Sequence, residues 1–363
     1  MKIALIGRYG ESEIVTGPEK VARHLFDQIA ILNPDTKFIT YFFKHTKKRQ
    51  LKKLLFGSEK VSTNQNIRRL GIFKLVITLL HERPDIVHIV TFERFELFVL
   101  FLKSLLKYKL VYTIHGIYRY ERKIFYKKPS LLSDLKDLLL EKLLFAKSDL
   151  LIFLSPQMFR LGQSFYKLYE KKVSIIPNGV SLPEYTESKS FKFSAGIEIV
   201  FYNGINDSRQ RGLEDLINVL SDTKMNNLKL SVLGIPKKTE HDWIKFFNPL
   251  PEKLLFKFLS DKHIFIDNLG YMPFSIIALE AMSLGLIIIV SSESGIAQYI
   301  KSGENGFLYD VNKTEEIGTI VHDIATGKFS PDVLSKNAKL TVKELSWHKI
   351  ADHYFKIYQD LVK

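Results

Sequence analysis

The chain has no cysteine in its 363 residues. Disulfides and thiolate metal sites are therefore excluded, which is compatible with a reducing cytoplasm. It also lacks the Asp-x-Asp pattern that holds Mn²⁺ or Mg²⁺ under a diphosphate. The longest apolar stretch of the N-terminal half, residues 97–106, is too short to span a bilayer and contains Lys103. The opening Met1-Lys2-Ile3-Ala4-Leu5-Ile6-Gly7 is too short for a signal peptide and reads as a first buried strand. Zinc spacing, RNP-type aromatic strands and basic zippers are all missing, so nucleic acid is not expected as a partner. No solenoid-type repeat is present.

What the chain does contain is core-forming material. Hydrophobic residues make up 46 % and aromatics 12 %, enough for roughly two domains at this length. The formal net charge is +14, which favours anionic partners. Much of the excess lies in residues 44–53 (KHTKKRQLKK) and 118–128 (YRYERKIFYKK). Both mix bases with aromatics or leucines. They suit an anionic membrane surface, and equally a solvated face. Tyr118, Arg119 and Arg122 lie in the second stretch.

The most informative stretch is Gly270-Tyr271-Met272-Pro273-Phe274-Ser275-Ile276-Ile277-Ala278-Leu279-Glu280-Ala281-Met282-Ser283-Leu284-Gly285. It lies between a strand at 263–266 and another at 286–290. A helix is expected to start near Pro273, where a missing N–H costs nothing, and to end at Gly285. A helix start after a strand is a natural anion site, and the amides of Met272, Pro273, Phe274 and Ser275 mark it, Pro273 without an N–H. Glu280 is a carboxylate among Ile, Ala, Leu and Met. It reads either as a ligand for the two hydroxyls of a ribose or as a buried group paired with Arg or Lys.

Strands are also expected at 2–6, 37–43, 84–90, 110–114, 149–154 and 172–176, apolar enough for a parallel sheet covered on both sides. Thr16 or Gly17 opens a helix with Pro18 at its first position. His115 follows the fourth strand at its carboxyl end, where open α/β sheets bind ligands. It is a functional candidate or a structural hydrogen-bonding group. Residues 181–195 read as a linker. The second domain restarts with a strand at 197–202 and a loop carrying Arg209 and Arg211, two candidates for clamping a diphosphate. Ser294-Gly295-Ile296 is expected to open a helix, and an amphipathic helix closes the chain from Ser346. The expected organisation is α/β: residues 1–180 form a first domain, 181–195 a linker, 196–344 a second domain and 345–363 a terminal helix.

In this arrangement the sequence resembles the GT-B glycosyltransferases of family 4. Thr16-Gly17-Pro18-Glu19-Lys20-Val21-Ala22 looks like the family's amino-terminal glycine loop. Thr113-Ile114-His115-Gly116 looks like its Thr-x-His-Asp segment, with Gly116 at the Asp place. Ile175-Ile176-Pro177-Asn178-Gly179-Val180 matches directly, residues 274–285 match its Glu-Ala-Met signature, and residues 303–308 match its Gly-x-x-Gly-x-Leu turn. Ser346-Trp347 resembles the start of its terminal helix.

The resemblance implies two Rossmann-like doubly wound domains facing a cleft, an acceptor-side domain at 1–180 with Tyr118, Arg119 and Arg122 as acceptor-side candidates and a nucleotide-sugar domain at 196–344, with the last helix, 345–363, crossing back to the first. It implies retaining transfer from a UDP- or GDP-sugar without a metal or other cofactor. In that reading Glu280 holds the ribose and Arg209 and Arg211 the diphosphate. Gly17 and the 272–275 segment face phosphate or sugar, and His115 approaches the sugar. Two departures stand out: Met272 sits where the family has its first Glu, and Ile205 where it has Arg. Asp267 is then a substitute carboxylate or a cap for its own loop. The expected acceptor is a lipid-linked glycan or glycolipid in capsule or lipopolysaccharide assembly. The expected location is the cytoplasm, peripheral on the inner face of the plasma membrane. A catalytically weak homologue acting as a partner subunit is the alternative.

Overall fold

A computed structural model describes residues 1–10, 13–41, 54–61, 67–92, 96–124, 131–169, 172–183, 191–204, 212–234, 241–267 and 270–363. The chain divides into two compact units. The first holds Met1–Lys123, Lys128–Pro177 and Trp347–Lys363, and the second centres on Asn178–Ser346.

The first unit is built on an 8-stranded sheet in the order β3-β4-β2-β1-β5-β6-β7-β8. Its strands are β1 (Ile3–Ile6), β2 (Lys37–Tyr41), β3 (Ser58–Lys60), β4 (Ile67–Leu70), β5 (Ile86–Ile89), β6 (Lys109–Ile114), β7 (Leu150–Phe153) and β8 (Val173–Ile175). All neighbours are parallel except β3, which pairs antiparallel with β4 at the edge. The central strands IALI, IVHI and LLIF are buried along their whole length, as parallel strands covered on both faces must be.

The helices of this unit are α1 (Gly17–Leu32), α2 (Ile72–Glu82), α3 (Glu96–Leu106), α4 (Tyr118–Ile124), α5 (Leu131–Lys147) and α6 (Pro156–Phe165). Local chemistry sets their ends. Thr16 caps α1 and Pro18 lies in its first turn. Ser155 caps α6, its hydroxyl accepting the Met158 N–H at 3.1 Å.

The second unit carries a 6-stranded parallel sheet ordered β11-β10-β9-β12-β13-β14. These strands are β9 (Ile197–Gly204), β10 (Leu228–Gly234), β11 (Ile244–Phe247), β12 (Ile264–Ile266), β13 (Ile287–Ser291) and β14 (Phe307–Tyr309). Around them lie α7 (Leu213–Asp222), α8 (Glu252–Ser260), α9 (Ile276–Ser283), α10 (Glu316–Ala325) and α11 (Pro331–Lys343). Its core joins Ile199, Phe201, Leu230, Ile266, Ile289 and Val321, each at most 1 % exposed. Burying such a side chain is worth about 1.5–3 kcal/mol.

The last helix, α12 (Trp347–Val362), packs on α1 within the first unit and buries Trp347, Ile350, Ala351, Tyr354 and Tyr358. His24 of α1 stacks on Trp347, ring centroids 5.1 Å apart. The chain leaves the first unit after Pro177 and re-enters it at Trp347. Between those points Val180 bridges Ser346 in parallel, with the Val180 N–H on the Leu345 carbonyl at 2.9 Å.

Three sequence expectations change. The helix expected from Pro273 begins at Ile276, because the Ser275 hydroxyl accepts the Ala278 N–H at 3.3 Å and so becomes its cap. The helix expected at Ser294 is only a short 3₁₀ turn, Ala297–Tyr299. Edge strands β3 and β11, and β4 beside β3, are short strands that the sequence pattern does not mark.

Candidate functional site

In the second unit the site is built on the loop between β12 and α9. Gly270 is tied down by the Ser291 hydroxyl, which donates to its carbonyl at 2.8 Å. Met272 forms a parallel bridge with Ser294, and its carbonyl accepts the Gly295 N–H at 2.9 Å. Position 295 must be glycine here: a Cβ would collide with the Pro273 carbonyl oxygen. Met272, Pro273, Phe274 and Ser275 are all buried. The loop is thus a fixed platform that delivers the start of α9.

Glu280 sits one turn into α9 with only 2 % of its surface exposed. Its neighbours on the helix, Leu279, Ala281 and Met282, are buried hydrophobics. The Ser283 hydroxyl donates to the Glu280 carbonyl at 2.7 Å, closing the C-terminal turn. A carboxylate held in so apolar a helix carries a large desolvation cost and belongs with a hydrogen-bonding group.

Asp267 lies deeper. It is fully buried just past β12, with its N–H on the Ile289 carbonyl at 3.1 Å. Burial and the Asp267 charge both push the Tyr309 phenol up, and a Ser291 hydrogen bond pulls it back. The Asp267 charge thus acts on Tyr309, and Ser291 reaches both Tyr309 and the loop carbonyl of Gly270. Arg209 and Arg211 lie outside the described residues.

In the first unit, Gly17 is the first residue of α1, and a Cβ there would meet nothing within 4 Å. The Glu19 carboxylate accepts from the Thr16 N–H at 2.8 Å and from its hydroxyl at 2.9 Å, and lies 3.6 Å from Arg8. Arg8, not singled out from the sequence, so enters the α1 start.

His115 is half-buried after β6. Burial lowers its pKa to about 4, against a hydrogen bond with the Val90 backbone that raises it. The ring is neutral at pH 7. With one nitrogen on Val90, Nε2 has no hydrogen-bond partner. That nitrogen is itself buried, and on a neutral ring it has the chemistry to accept a hydrogen bond. At the neighbouring Gly116, which stands where the related pattern has Asp, a Cβ would meet the movable Glu121 carboxylate.

Behind His115 lies a network that the sequence did not reveal. His88 Nδ1 meets the Tyr358 hydroxyl at 2.5 Å, and its Nε2 meets Thr113 Oγ1 at 2.8 Å. The Tyr354 hydroxyl adds a contact to Thr113 Oγ1 at 3.3 Å. Burial, then the neighbouring His115, lowers the His88 pKa to about 3. No local sequence signal marks this group, because α12 comes from the far end of the chain.

The three acceptor-side candidates separate. The Tyr118 hydroxyl donates to Asp134 at 3.0 Å and Arg122 pairs with the same carboxylate at 2.6 Å. The Tyr118 and Arg119 N–H groups donate to Glu141 at 2.5 and 3.1 Å. Burial pushes the Glu141 carboxyl up, while Tyr166 and these amides pull it back. Tyr118 and Arg122 thus anchor α4 to α5. The Arg119 guanidinium is exposed, 5.6 Å above the Phe165 ring. The basic stretch 44–53 and the residues after 124 in the second stretch lie outside the described residues.

Among the described residues, no group of three or more His, Asp or Glu is placed to hold a metal ion, and no helix is long and apolar enough to cross a membrane.

Two parallel-sheet α/β units, each opening strand–loop–helix, define the class of fold known as GT-B. The chain belongs to the family 4/group 1 glycosyltransferases: residues 15–183 match Glycosyltransferase Family 4 and residues 197–341 match Glycosyl transferases group 1. An uncharacterised glycosyltransferase of Methanocaldococcus jannaschii is 26 % identical over 220 residues, 54 % of this chain and 56 % of that one. An uncharacterised 41.2 kDa protein in the cps region of Klebsiella pneumoniae is 23 % identical, covering 70 % of this chain and 75 % of that one. The match thus spans little more than half of the archaeal relative.

Among solved structures, sucrose-phosphate synthase from Thermosynechococcus elongatus superposes with a TM-score of 0.76 at 18 % identity, over 99 % of this chain and 98 % of that one. HepE of Anabaena in complex with UDP-glucose superposes with a TM-score of 0.71 at 16 % identity, over 99 % and 100 %. At these identities the likeness is one of fold.

Proposed function

We propose that the protein is a retaining, metal-independent glycosyltransferase that uses a nucleoside diphosphate sugar, UDP- or GDP-linked. The observation that carries this reading is Glu280, a nearly buried carboxylate on α9, one turn beyond a rigid loop. A carboxylate in that place suits the two hydroxyls of a ribose, and the α9 start suits phosphate. The UDP-glucose held by HepE, a protein of like fold, makes a UDP-sugar the first donor to try.

In the reaction the bond between the sugar's anomeric carbon and the donor phosphate breaks. A bond from that carbon to the acceptor oxygen forms on the same face. The acceptor proton passes to the leaving phosphate, so no strong protein base is required. Arg209 and Arg211 neutralise the diphosphate, with the Gly17 amide as an additional donor. His115, neutral and with Nε2 available, accepts from a sugar hydroxyl. Asp267 supplies the substitute carboxylate on the sugar side or caps its own loop.

The acceptor is a lipid-linked glycan or glycolipid of surface polysaccharide assembly, and the protein works as a peripheral protein at the cytoplasmic membrane face. The relative in the Klebsiella cps region supports that setting.

Calorimetric titration of UDP and GDP into the wild type and Glu280→Ala tests the reading. Glu280→Ala is expected to weaken nucleotide binding by about tenfold or more. Unchanged binding and turnover in the variant would sink the assignment. One observation favours a second reading, a partner subunit of another transferase: Met272 and Ile205 stand where the related pattern has Glu and Arg. Nucleotide binding without sugar release, across a panel of donors with membrane extract, would select it.

A further inference from the structure

The helices on the two sides of the first sheet differ in a way that the transfer reaction does not explain. Helix α1 carries the chain one way across the sheet, from β1 to β2, and takes α12 beside it. Helices α2, α3 and α5 carry it the other way, from β4 through β5 and β6 to β7. Right-handed crossovers place these two sets on opposite faces. On the second face, α2 packs against α3, and α3 against α5.

Each of these three helices is apolar twice over. Their inner stripes, among them Leu75, Leu79, Val99 and Leu102, are buried on the sheet. Their outer stripes are apolar as well. Helix α2 exposes Phe73, Ile77 and Leu80. Helix α3 exposes Leu97, Phe101 and Leu105, with Phe101 at 76 %. Helix α5 exposes Leu132, Leu135 and Leu139. Every set follows helical spacing, so each lies along one side of its helix. A solvated outer face would be polar. On α1, by contrast, Ile31 alone is an exposed large hydrophobic. Three packed helices span roughly 20 Å, so the stripes make one patch rather than scattered single residues.

Exposed bases flank the patch. Arg83 and Lys107 follow the ends of α2 and α3, and Lys136, Lys142 and Lys147 lie on α5. A second copy of this face would set these like charges against one another. An anionic bilayer supplies both the apolar phase and the opposite charge.

We infer that the outer face of α2, α3 and α5 is the membrane-docking surface of this protein, seated in the interface of an anionic bilayer. This deepens, and builds on, the reading of a lipid-borne acceptor. It assigns docking to helices distinct from the basic stretches 44–53 and 118–128.

The absence of cysteine makes the test direct. Full-length Phe101→Cys is labelled with an environment-sensitive nitrobenzoxadiazole dye and mixed with vesicles of phosphatidylcholine and phosphatidylglycerol at roughly 7:3. Its emission is expected to rise and shift to the blue, and to respond less to phosphatidylcholine alone. The same dye at Ile31→Cys, on the opposite face, is expected to stay unchanged.

Phe101→Asp with Leu135→Asp is expected to weaken vesicle binding about tenfold or more while leaving the UDP titration intact. Equal dye responses at 101 and 31, or undiminished vesicle binding by the double variant, would overturn the inference. So would self-association in sedimentation, abolished by the same substitutions, with no vesicle binding, since that assigns the face to a second copy. Vesicle binding without any nucleotide binding would instead count against the transferase reading and leave the docking face standing.

Discussion

His88 is buried as a neutral ring between two hydroxyls, and its acid–base behaviour follows from that position. Its pKa is about 3 in the fold, whereas an unfolded histidine takes up a proton near pH 6.5. Between those values the unfolded chain holds the extra proton. Stability therefore falls as pH drops through that window and is flat above it. His115 adds to the same slope down to about pH 4. His88→Gln is expected to reduce the slope by about 1.4 kcal/mol per pH unit. Urea midpoints for both proteins between pH 7 and 5 measure this, and equal slopes would refute it. At this scale the sequence made Glu280 legible, because a carboxylate among hydrophobics is conspicuous. It left two roles for Asp267 and none for His88, whose partners Thr113 and Tyr358 come from a neighbouring strand and the last helix.

Helix α9 and its loop were visible as one strand–loop–helix–strand unit, but the cap residue decided the start. The Ser275 side chain reaches the Ala278 N–H, so Pro273 belongs to the loop. Residues 272–274 are held close to Gly295, which lets the Pro273 carbonyl approach it. Gly295→Ala is expected to destabilise the protein by about 2–4 kcal/mol, through a backbone collision that no rotamer relieves. Gly17→Ala, where a Cβ meets open space, is expected to cost little. Thermal denaturation of the two variants checks the contrast, and equal losses would contradict it. Periodicity found the buried parallel strands readily. It failed at β4, whose IRRL sequence is buried only at its ends. It also failed at α2, where both faces are apolar and the helical stripe is blurred.

For the whole molecule, α12 matters most. The chain leaves the first unit, builds the second, and returns to complete the first with Tyr354 and Tyr358. Ile350→Pro places a helix breaker at a buried position on α12, at a cost of about 3 kcal/mol or more. Amide hydrogen exchange is expected to accelerate over β1, β5 and α1 while β12 and β13 keep their protection. Uniform acceleration across both sheets would show that the units do not hold this division.

The sequence by itself determined the two α/β halves, their parallel sheets and the family to which the chain belongs. Those features are written in local runs: apolar strands, helix starts and stops, and short motifs read in order. Only the tertiary structure decided which polar groups meet. It buried Asp267 at the end of β12, joined Tyr118 and Arg122 to Asp134, filled the space beside Gly116 with Glu121, and closed His88 between Thr113 and Tyr358. It also left apolar stripes outside on three neighbouring helices. A contact between residues 270 positions apart has no local signature. Burial, and with it each group's charge and availability, is set by what packs against it.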